Sequence, residues 1–408
     1  MPPQPIDPQR LDPRRREPET LDNQPLGSRL LDARVSRPVD GGSVEPTADP
    51  SVERLGDIGE DELLRRIFPL MPPEPRALLG PGDDAAVLGL SYGSVVLTTD
   101  TMVLGQDWRD EWSSAADVGA KVVAQNLADV AAMGAVPVGL LVTLVADPAT
   151  PVQWAVELAT AIGDAAASAG TGVLGGDLSG ASQGLRAVSV TALGDLEGRP
   201  AVTRTGALPG DVVAVTGTLG QAAAGLVLLS GGELGGEGGA TPTDASDEGA
   251  IPSGGAVSVP AAGAPFVAVQ RRPSPPLAAG PQAAAAGVHA MIDLSDGLVR
   301  DAGRIARASG VDLDLDVSAL ADDIGVIAAV LGLRTAQRCV LTGGEDHALL
   351  GCFSPDAPLP PGWRRVGAVR EAAGQDVGSS SEGEPTRFGR VLVDGAVPDS
   401  LGWDHFGG

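Results

Sequence analysis

Six short motifs place carboxylates beside glycines or at the ends of apolar runs. Asp83 and Asp84 lie in GPGDDAAVL, and Asp100 follows Thr98 and Thr99 in VVLTTDTM. Asp129 lies in AQNLADVAAMGA, Asp177 in VLGGDLSG, Asp293 and Asp296 in MIDLSDGL, and Glu345 with Asp346 in LTGGEDHALL. A carboxylate enclosed by Val, Ala and Gly is costly to bury unless it is paired or bound to metal. Carboxylates and hydroxyls are hard oxygen ligands, and this mixture suits Mg²⁺ bound together with substrate phosphates. Phosphoryl transfer needs that equipment and no covalent intermediate, because its demands are positioning and cations that offset the moving charge. Arg204, in AVTRTG, supplies a fixed cation for a nucleotide on this reading.

Each motif also has an ordinary reading. Asp-Gly and Gly-Asp pairs are common turn chemistry, and Asp296 is placed to cap a helix that begins at Gly297. Asp129 could be an exposed helix residue. Lys121 and Gln125 lie one turn apart on the same helix, so a solvated polar stripe competes with a functional face. Arg204 could be a surface arginine. The metal reading rests on the repetition of six motifs of one character. Other chemistries lack their residues: the histidines are His289, His347 and His405, with no HExxH or cysteine cluster. GxxxxGK[ST], HRD and DFG are missing from the sequence. The glycines of GGELGGEGG follow no convincing strand and do not read as a dinucleotide loop.

The elements that must position these residues alternate between strand and helix. Residues 94–99 read as a strand, and 114–133 as a helix capped by Ser113 or Ser114, with Asp117 in its first turn and Gly134 past its end. Residues 138–145 read as a strand and 151–169 as a helix opened by Pro151. Strands at 172–176 and 185–193 follow. A new unit starts at Gly206 with a turn and a strand, then helices at about 219–230 and 276–288, a strand at 289–293, a helix at 296–308 and a strand at 311–317. This pattern implies two α/β-type domains, about 53–205 and 206–408. Residues 1–52, about 231–263 and about 372–386 are rich in Pro, Gly, Ser and acids, and read as disordered decoration.

A net charge of −25 over 408 residues argues against nucleic acid as a partner, although divalent ions can still bring an anionic substrate to an acidic enzyme. Cys339 and Cys352 have no metal-ligand spacing and read as reduced core thiols. No secretory signal and no run long enough to span a bilayer are recognisable, which points to a cytoplasmic protein.

Taken in order, GDDAAVL, TTDTMV, AQNLADVAAMGA, GGDLSG, VTRTGALPGDVVAVTGTLGQAAAGL, IDLSDGL, LTGGEDHALL and the terminal GWDHF resemble the thiamine-monophosphate kinase family. The resemblance runs from about Gly80 to the C-terminus. It implies transfer of phosphate from ATP to thiamine monophosphate, giving thiamine diphosphate. It also implies the two-domain α+β and α/β fold of the aminoimidazole-ribonucleotide-synthetase superfamily, in which the N-terminal halves of two subunits form a shared barrel. On this resemblance Asp84, Thr98, Thr99, Asp100, Asp129, Asp177, Asp293 and Asp296 match Mg²⁺ positions, with Asp129, Asp177 and Asp296 central to catalysis; Asp83 matches less closely. Gly176, Asp177, Arg204 and Ser295 match nucleotide contacts. Glu345 and Trp403 match positions that hold the thiamine moiety, an aromatic face and a carboxylate for a cationic ring.

One departure concerns the acceptor. Family members often carry xGxHF after the TTDT motif, and this chain reads LGQDWRDEW, with Asp107 where the His would stand. Asp107 takes over the contact, or Arg109 does, or substrate affinity is weaker. The N-terminal extension and the insertion after Ser230 fall where loops tolerate length. Among sister enzymes, selenophosphate synthetase would want an early reactive Cys, and a hydrogenase-maturation protein a C-terminal one. Aminoimidazole-ribonucleotide synthetase would not be expected to carry GGED or the terminal aromatic motif. A non-catalytic Ca²⁺-binding protein would cluster its acids as DxDxDG, whereas these are dispersed.

Overall fold

Ser114 opens the longest helix by a reciprocal cap. Its hydroxyl accepts from the Asp117 amide while the Asp117 carboxylate accepts from the Ser114 amide. The helix, α3 (Ala115–Ala132), ends ahead of Gly134, whose φ of 75° lies in the left-handed region. We describe the protein from a computed structural model, which covers residues 51–79, 86–231, 259–373 and 389–402, apart from 59, 92, 399 and 401. Asp83, Asp84, Trp403, nearly all of the N-terminal extension and most of the 231–263 and 372–386 segments lie outside the described residues.

Two short helices, α1 (Leu55–Ile58) and α2 (Glu60–Ile67), lead to a small hairpin of β1 (Ala77–Leu79) and β2 (Val87–Leu88). A four-stranded sheet follows, built from β3 (Val95–Val103), β4 (Val136–Ala146), β5 (Val173–Gly180) and β6 (Arg186–Asp195), in the order β3-β6-β4-β5. β4 and β5 run parallel and are joined by α4 (Val152–Ser168), the crossover that a parallel pair requires. Helices α3 and α4 cover one face, and Val118, Val122, Leu127, Leu140, Ile162 and Val190 form the core beneath them.

A six-stranded sheet is built from β7 (Val212–Thr216), β8 (Ala290–Leu294), β9 (Val311–Leu315), β10 (Ala348–Phe353), β11 (Arg364–Glu371) and β12 (Val391–Val393), in the order β12-β9-β11-β7-β10-β8. Its helices are α5 (Gln221–Leu229), α6 (Ala264–Arg271), α7 (Ala279–Ala285), α8 (Leu298–Ser309), α9 (Ala321–Leu331) and α10 (Leu333–Thr342). The core includes Val213, Ile292, Leu298, Ile305, Leu313, Ile327 and Leu350. The sheets are joined by a third cluster, in which Ala131 and Ala132 at the end of α3 pack with Ala283, Met291, Leu349 and Trp363.

Several expectations need correction. β3 continues beyond Thr99 through Asp100 to Val103, and β5 continues through Asp177 to Gly180, so both aspartates lie within strands. Gly297, not Asp296, is the N-cap of α8, and Pro151 is the N-cap of α4 rather than part of its first turn. The end of the 231–263 segment is structured, with Ala261–Gly263 forming a 3₁₀ turn. Both cysteines are free and buried, as expected. Among the described residues no helix is long and apolar enough to cross a membrane.

Candidate functional site

Strand alternation decides which hydroxyl of TTD faces inward. Thr98 and Asp100 share the face of β3 that packs on α3, while Thr99 faces the other side, donating to the Val190 carbonyl at 3.1 Å and accepting from Thr191. Thr98 Oγ1 donates to Asp129 Oδ2 at 2.8 Å, and the Asp100 amide donates to Asn126 Oδ1 at 2.9 Å. Asp129 belongs to a row at four-residue spacing along α3, with Asp117, Lys121 and Gln125. Every member of the row has a partner on another element. Asp117 pairs with Arg272, Lys121 with Glu345, Gln125 stabilises the ionised form of Asp100 and Asp129 takes the Thr98 hydroxyl. The solvated-stripe reading of Lys121 therefore fails: its residue is only 4% exposed.

From the second sheet β8 brings Asp293, buried at 4% exposure, whose Oδ2 lies 3.3 Å from His347 Nδ1. Asp100, Asp129 and Asp293 thus approach across the seam between the sheets, close enough for the charge of Asp293 to raise both Asp100 and Asp129. Burial, then the negative charge of Asp293, pushes the Asp129 carboxyl up to about 7, against the opposing hydrogen bond from Thr98. Burial likewise raises Asp100, and His347 offsets part of that rise. Burial alone would lower the His347 pKa, but the hydrogen bond and charge of Asp293 outweigh it and hold it above its ordinary value. One imidazole faces three carboxylates, so the cluster carries an excess of negative charge.

Two loops shape the rim of this cluster. After β8 the chain turns through Ser295 and Asp296, and the GGED loop lies directly against that turn. A Cβ on Gly344 would sit 2.0 Å from the Ser295 carbonyl oxygen, so only glycine allows the approach. The Glu345 amide donates to that same carbonyl at 2.9 Å. Glu345 and His347 hold φ of 69° and 52°, a left-handed backbone unusual for such side chains and common where function constrains geometry. The Glu345 carboxylate meets Lys121 Nζ at 2.6 Å and Gln270 Nε2 at 3.4 Å. Burial opposes its ionisation, yet the Lys121 ammonium wins and holds the carboxyl below its ordinary value. Asp346 accepts from Thr218 and from the Gln221 and Ala222 amides at the start of α5, and burial raises it to about 7.

The remaining expected residues are held elsewhere. Asp296 forms ion pairs with Arg304 and, at 3.9 Å, Arg300, while its amide donates to the fully buried Asp301 at 2.9 Å. Asp177 is exposed on β5, in register with Thr143, and takes the Ser179 hydroxyl at 2.8 Å. Beside it, a Cβ on Gly176 would meet the Val142 carbonyl oxygen at 1.8 Å. Arg204 is exposed, and its carbonyl accepts from Ser309. Asp107 Oδ2 accepts from the Val103 amide at 2.7 Å, which ties down the turn after β3. An apolar cavity of about 140 Å³ reaches Gly175, Gly176 and Asp177, lined by Leu64, Ile67 and Met71 on one side and Leu158 and Ile162 of α4 on the other.

Residue types alone did not single out Lys121, His347, Asp301 or Arg304. Signals for two of them were present: Lys121 stands eight residues before Asp129 on one helical row, and His347 directly follows GGED. Among the described residues no group of three or more Asp, Glu, His or Cys side chains is close enough to hold a metal ion by itself. The donor chemistry nevertheless fits Mg²⁺, which commonly takes one or two protein carboxylates and completes its shell with waters and substrate phosphates.

Comparison with known proteins identifies relatives of the chain. Residues 82–196 match the family described as AIR synthase related protein, N-terminal domain. The chain is 38% identical over 367 residues to a thiamine-monophosphate kinase of Mycobacterium tuberculosis, covering 88% of this chain and 95% of the relative. A crystal structure of thiamine-monophosphate kinase from Stenotrophomonas maltophilia matches with a TM-score of 0.62 at 28% identity, over 83% of this chain and 96% of the other. AaThiL, solved in complex with AMPPCP and TMP, matches with a TM-score of 0.62 at 26% identity, over 79% of this chain and 91% of the other. With the aspartate motifs meeting at the seam of an AIR-synthase-like fold, and with identity sustained over nearly the whole relative, the chain belongs to the thiamine-monophosphate kinase family.

Proposed function

We propose that the chain transfers the terminal phosphoryl group of ATP directly to thiamine monophosphate, yielding thiamine diphosphate and ADP. The observation that carries this reading is the meeting of Asp100, Asp129 and Asp293 at the seam of the two sheets, in a chain of this family. Thr98, Asp100, Asp129 and Asp293 would hold Mg²⁺, with Asp84 from outside the described residues. Thr99, Asp177 and Asp296 are further oxygen donors, and Asp296 must exchange its arginine partners to serve. Bound Mg²⁺ supplies positive charge against the phosphates and helps to align them.

The chain's own groups bind and orient. The cavity ending at Gly176 and Asp177 offers apolar walls to the flat faces of a nucleobase, and Arg204 and Ser295 are candidates for the nucleotide's polar groups. Glu345 offers an ionised carboxylate to the cationic thiamine moiety, together with Trp403. Asp107 remains a candidate acceptor contact, although its bond to Val103 favours a turn-holding role. We place the nucleotide on the 53–205 half and the closing α/β half at 206–408.

The face of the four-stranded sheet opposite α3 and α4, open among the described residues, supports a homodimer closed through that face. It exposes Leu97 at 62% and Leu141 at 39%, among threonines. The free thiols fit a reducing compartment, so we assign the activity to the cytoplasm. A coupled assay of ADP release with ATP and Mg²⁺ tests the reading. ADP and thiamine diphosphate should form with thiamine monophosphate, and not with free thiamine or without acceptor. Folded protein that turns over none of these refutes it.

A further inference from the structure

We infer that Lys121 is a positioning residue for the acceptor: its enclosed ammonium reaches across the seam and fixes the Glu345 carboxylate in the orientation that receives the cationic end of the substrate. The inference rests on the phosphoryl-transfer reading given above. Lys121 lies on α3 of the first sheet and Glu345 in the loop before β10 of the second, 224 residues away. The two ends of this ion pair are unequally placed. The Lys121 side chain is 5% exposed, whereas that of Glu345 keeps 37% of its surface open. A bridge serving packing alone has no need of an open carboxylate, while a receptor for a cation does.

Both carboxylate oxygens are anchored from behind, Oε1 by Lys121 at 2.6 Å and Oε2 by Gln270 of α6 at 3.4 Å. Each oxygen still has acceptor capacity toward the open side, because a carboxylate offers about four lone-pair sites. The backbone is fixed as well, through the left-handed φ of 69° and the amide bond to the Ser295 carbonyl. His347, two residues on, is a further charged group acting on Glu345. Removing Lys121 frees a flexible side chain that the bound state must then order again.

Orientation and charge neutralisation predict opposite signs. If Lys121 only diminished the negative charge of Glu345, its removal would tighten binding of a cation. If it orients the carboxylate, its removal weakens acceptor binding, by roughly three- to tenfold for one side chain set loose.

Steady-state kinetics of the full chain with saturating Mg²⁺ should be measured for wild type, K121M, K121R, E345Q and K121M/E345Q. The expected result is a three- to tenfold higher KM for thiamine monophosphate in K121M, with kcat and the KM for ATP within twofold of wild type. K121R should recover most of the loss, and K121M should add nothing to E345Q. An unchanged or lower acceptor KM in K121M, an equal loss toward ATP, or additive effects in the double variant would overturn the inference. If K121M is recovered unfolded because it strands a carboxylate, the double variant leaves no unpaired charge and still permits the comparison with E345Q. Wild-type protein that makes no ADP with thiamine monophosphate overturns the reading of the reaction, and the inference with it. An active wild type with an unmoved acceptor KM in K121M overturns the inference alone.

Discussion

Asp129→Asn should make the metal-free protein more stable while removing its activity. The substitution keeps an acceptor for the Thr98 hydroxyl and removes a charge that burial and Asp293 oppose. That opposition raises the carboxyl from its ordinary 3.8 to about 7. At about 1.4 kcal/mol per pH unit, ionising this group in the folded protein at pH 8 costs roughly 4 kcal/mol. Asp129 is only partly buried and shares the effect with its neighbours, so about 2 kcal/mol is the gain to expect. The folded-state pKa lies above the unfolded one. Stability from protonation is therefore complete below about pH 4 and is lost as pH rises through about 7. Thermal unfolding in EDTA should show Asp129→Asn melting a few °C above wild type at pH 8, with the advantage shrinking toward pH 4.5. Mg²⁺ should raise the midpoint of wild type more than that of the variant, and turnover by the variant should fall by several orders of magnitude. A variant no more stable than wild type at pH 8 without metal, or one whose advantage grows in acid, refutes the account of the cluster.

Asp301→Ala should lower stability by about 1 kcal/mol in urea unfolding at pH 5, where the buried Asp301 carboxyl, raised to about 7, carries no charge to relieve. The loss comes from the Asp296 amide left without its acceptor, while Arg304 keeps Asp296. Gly344→Ala puts a methyl group 2.0 Å from the Ser295 carbonyl oxygen, so the GGED loop must move. A displacement near 1 Å at the site should reduce kcat/KM by about 100-fold, and unaltered kinetics would show that the loop tolerates the shift. Leu97→Asp on the uncovered sheet face should convert a dimer to a monomer by light scattering, and a dimer that persists excludes that face.

Local chemistry settled a good part of the fold. The ends of α3 follow from Ser114, Asp117 and Gly134, three residues whose effects act within one helical turn. The oxygen-donor character was equally legible, because carboxylates repeated in six motifs among small apolar residues stand out from single turn residues. What escaped notice lies where sequence carries no period. β10 is buried along all six of its residues, so ALLGCF shows no alternation, and α9 and α10 are separated only by Gly332. The roles of neighbouring residues were also out of reach. Thr98 and Thr99 are chemically alike, and the register of β3 on β6 alone turns one toward Asp129 and the other away. The row of Lys121, Gln125 and Asp129 has the same spacing whether it faces water or a second sheet. Its meaning came from the packing of α3 against β8 and the GGED loop, which are more than 150 residues away in the chain. Sequence by itself determined which atoms could bind phosphate-bound metal. Tertiary structure decided which of them meet, because faces are chosen by burial against distant segments and spacing along one element cannot encode its partner.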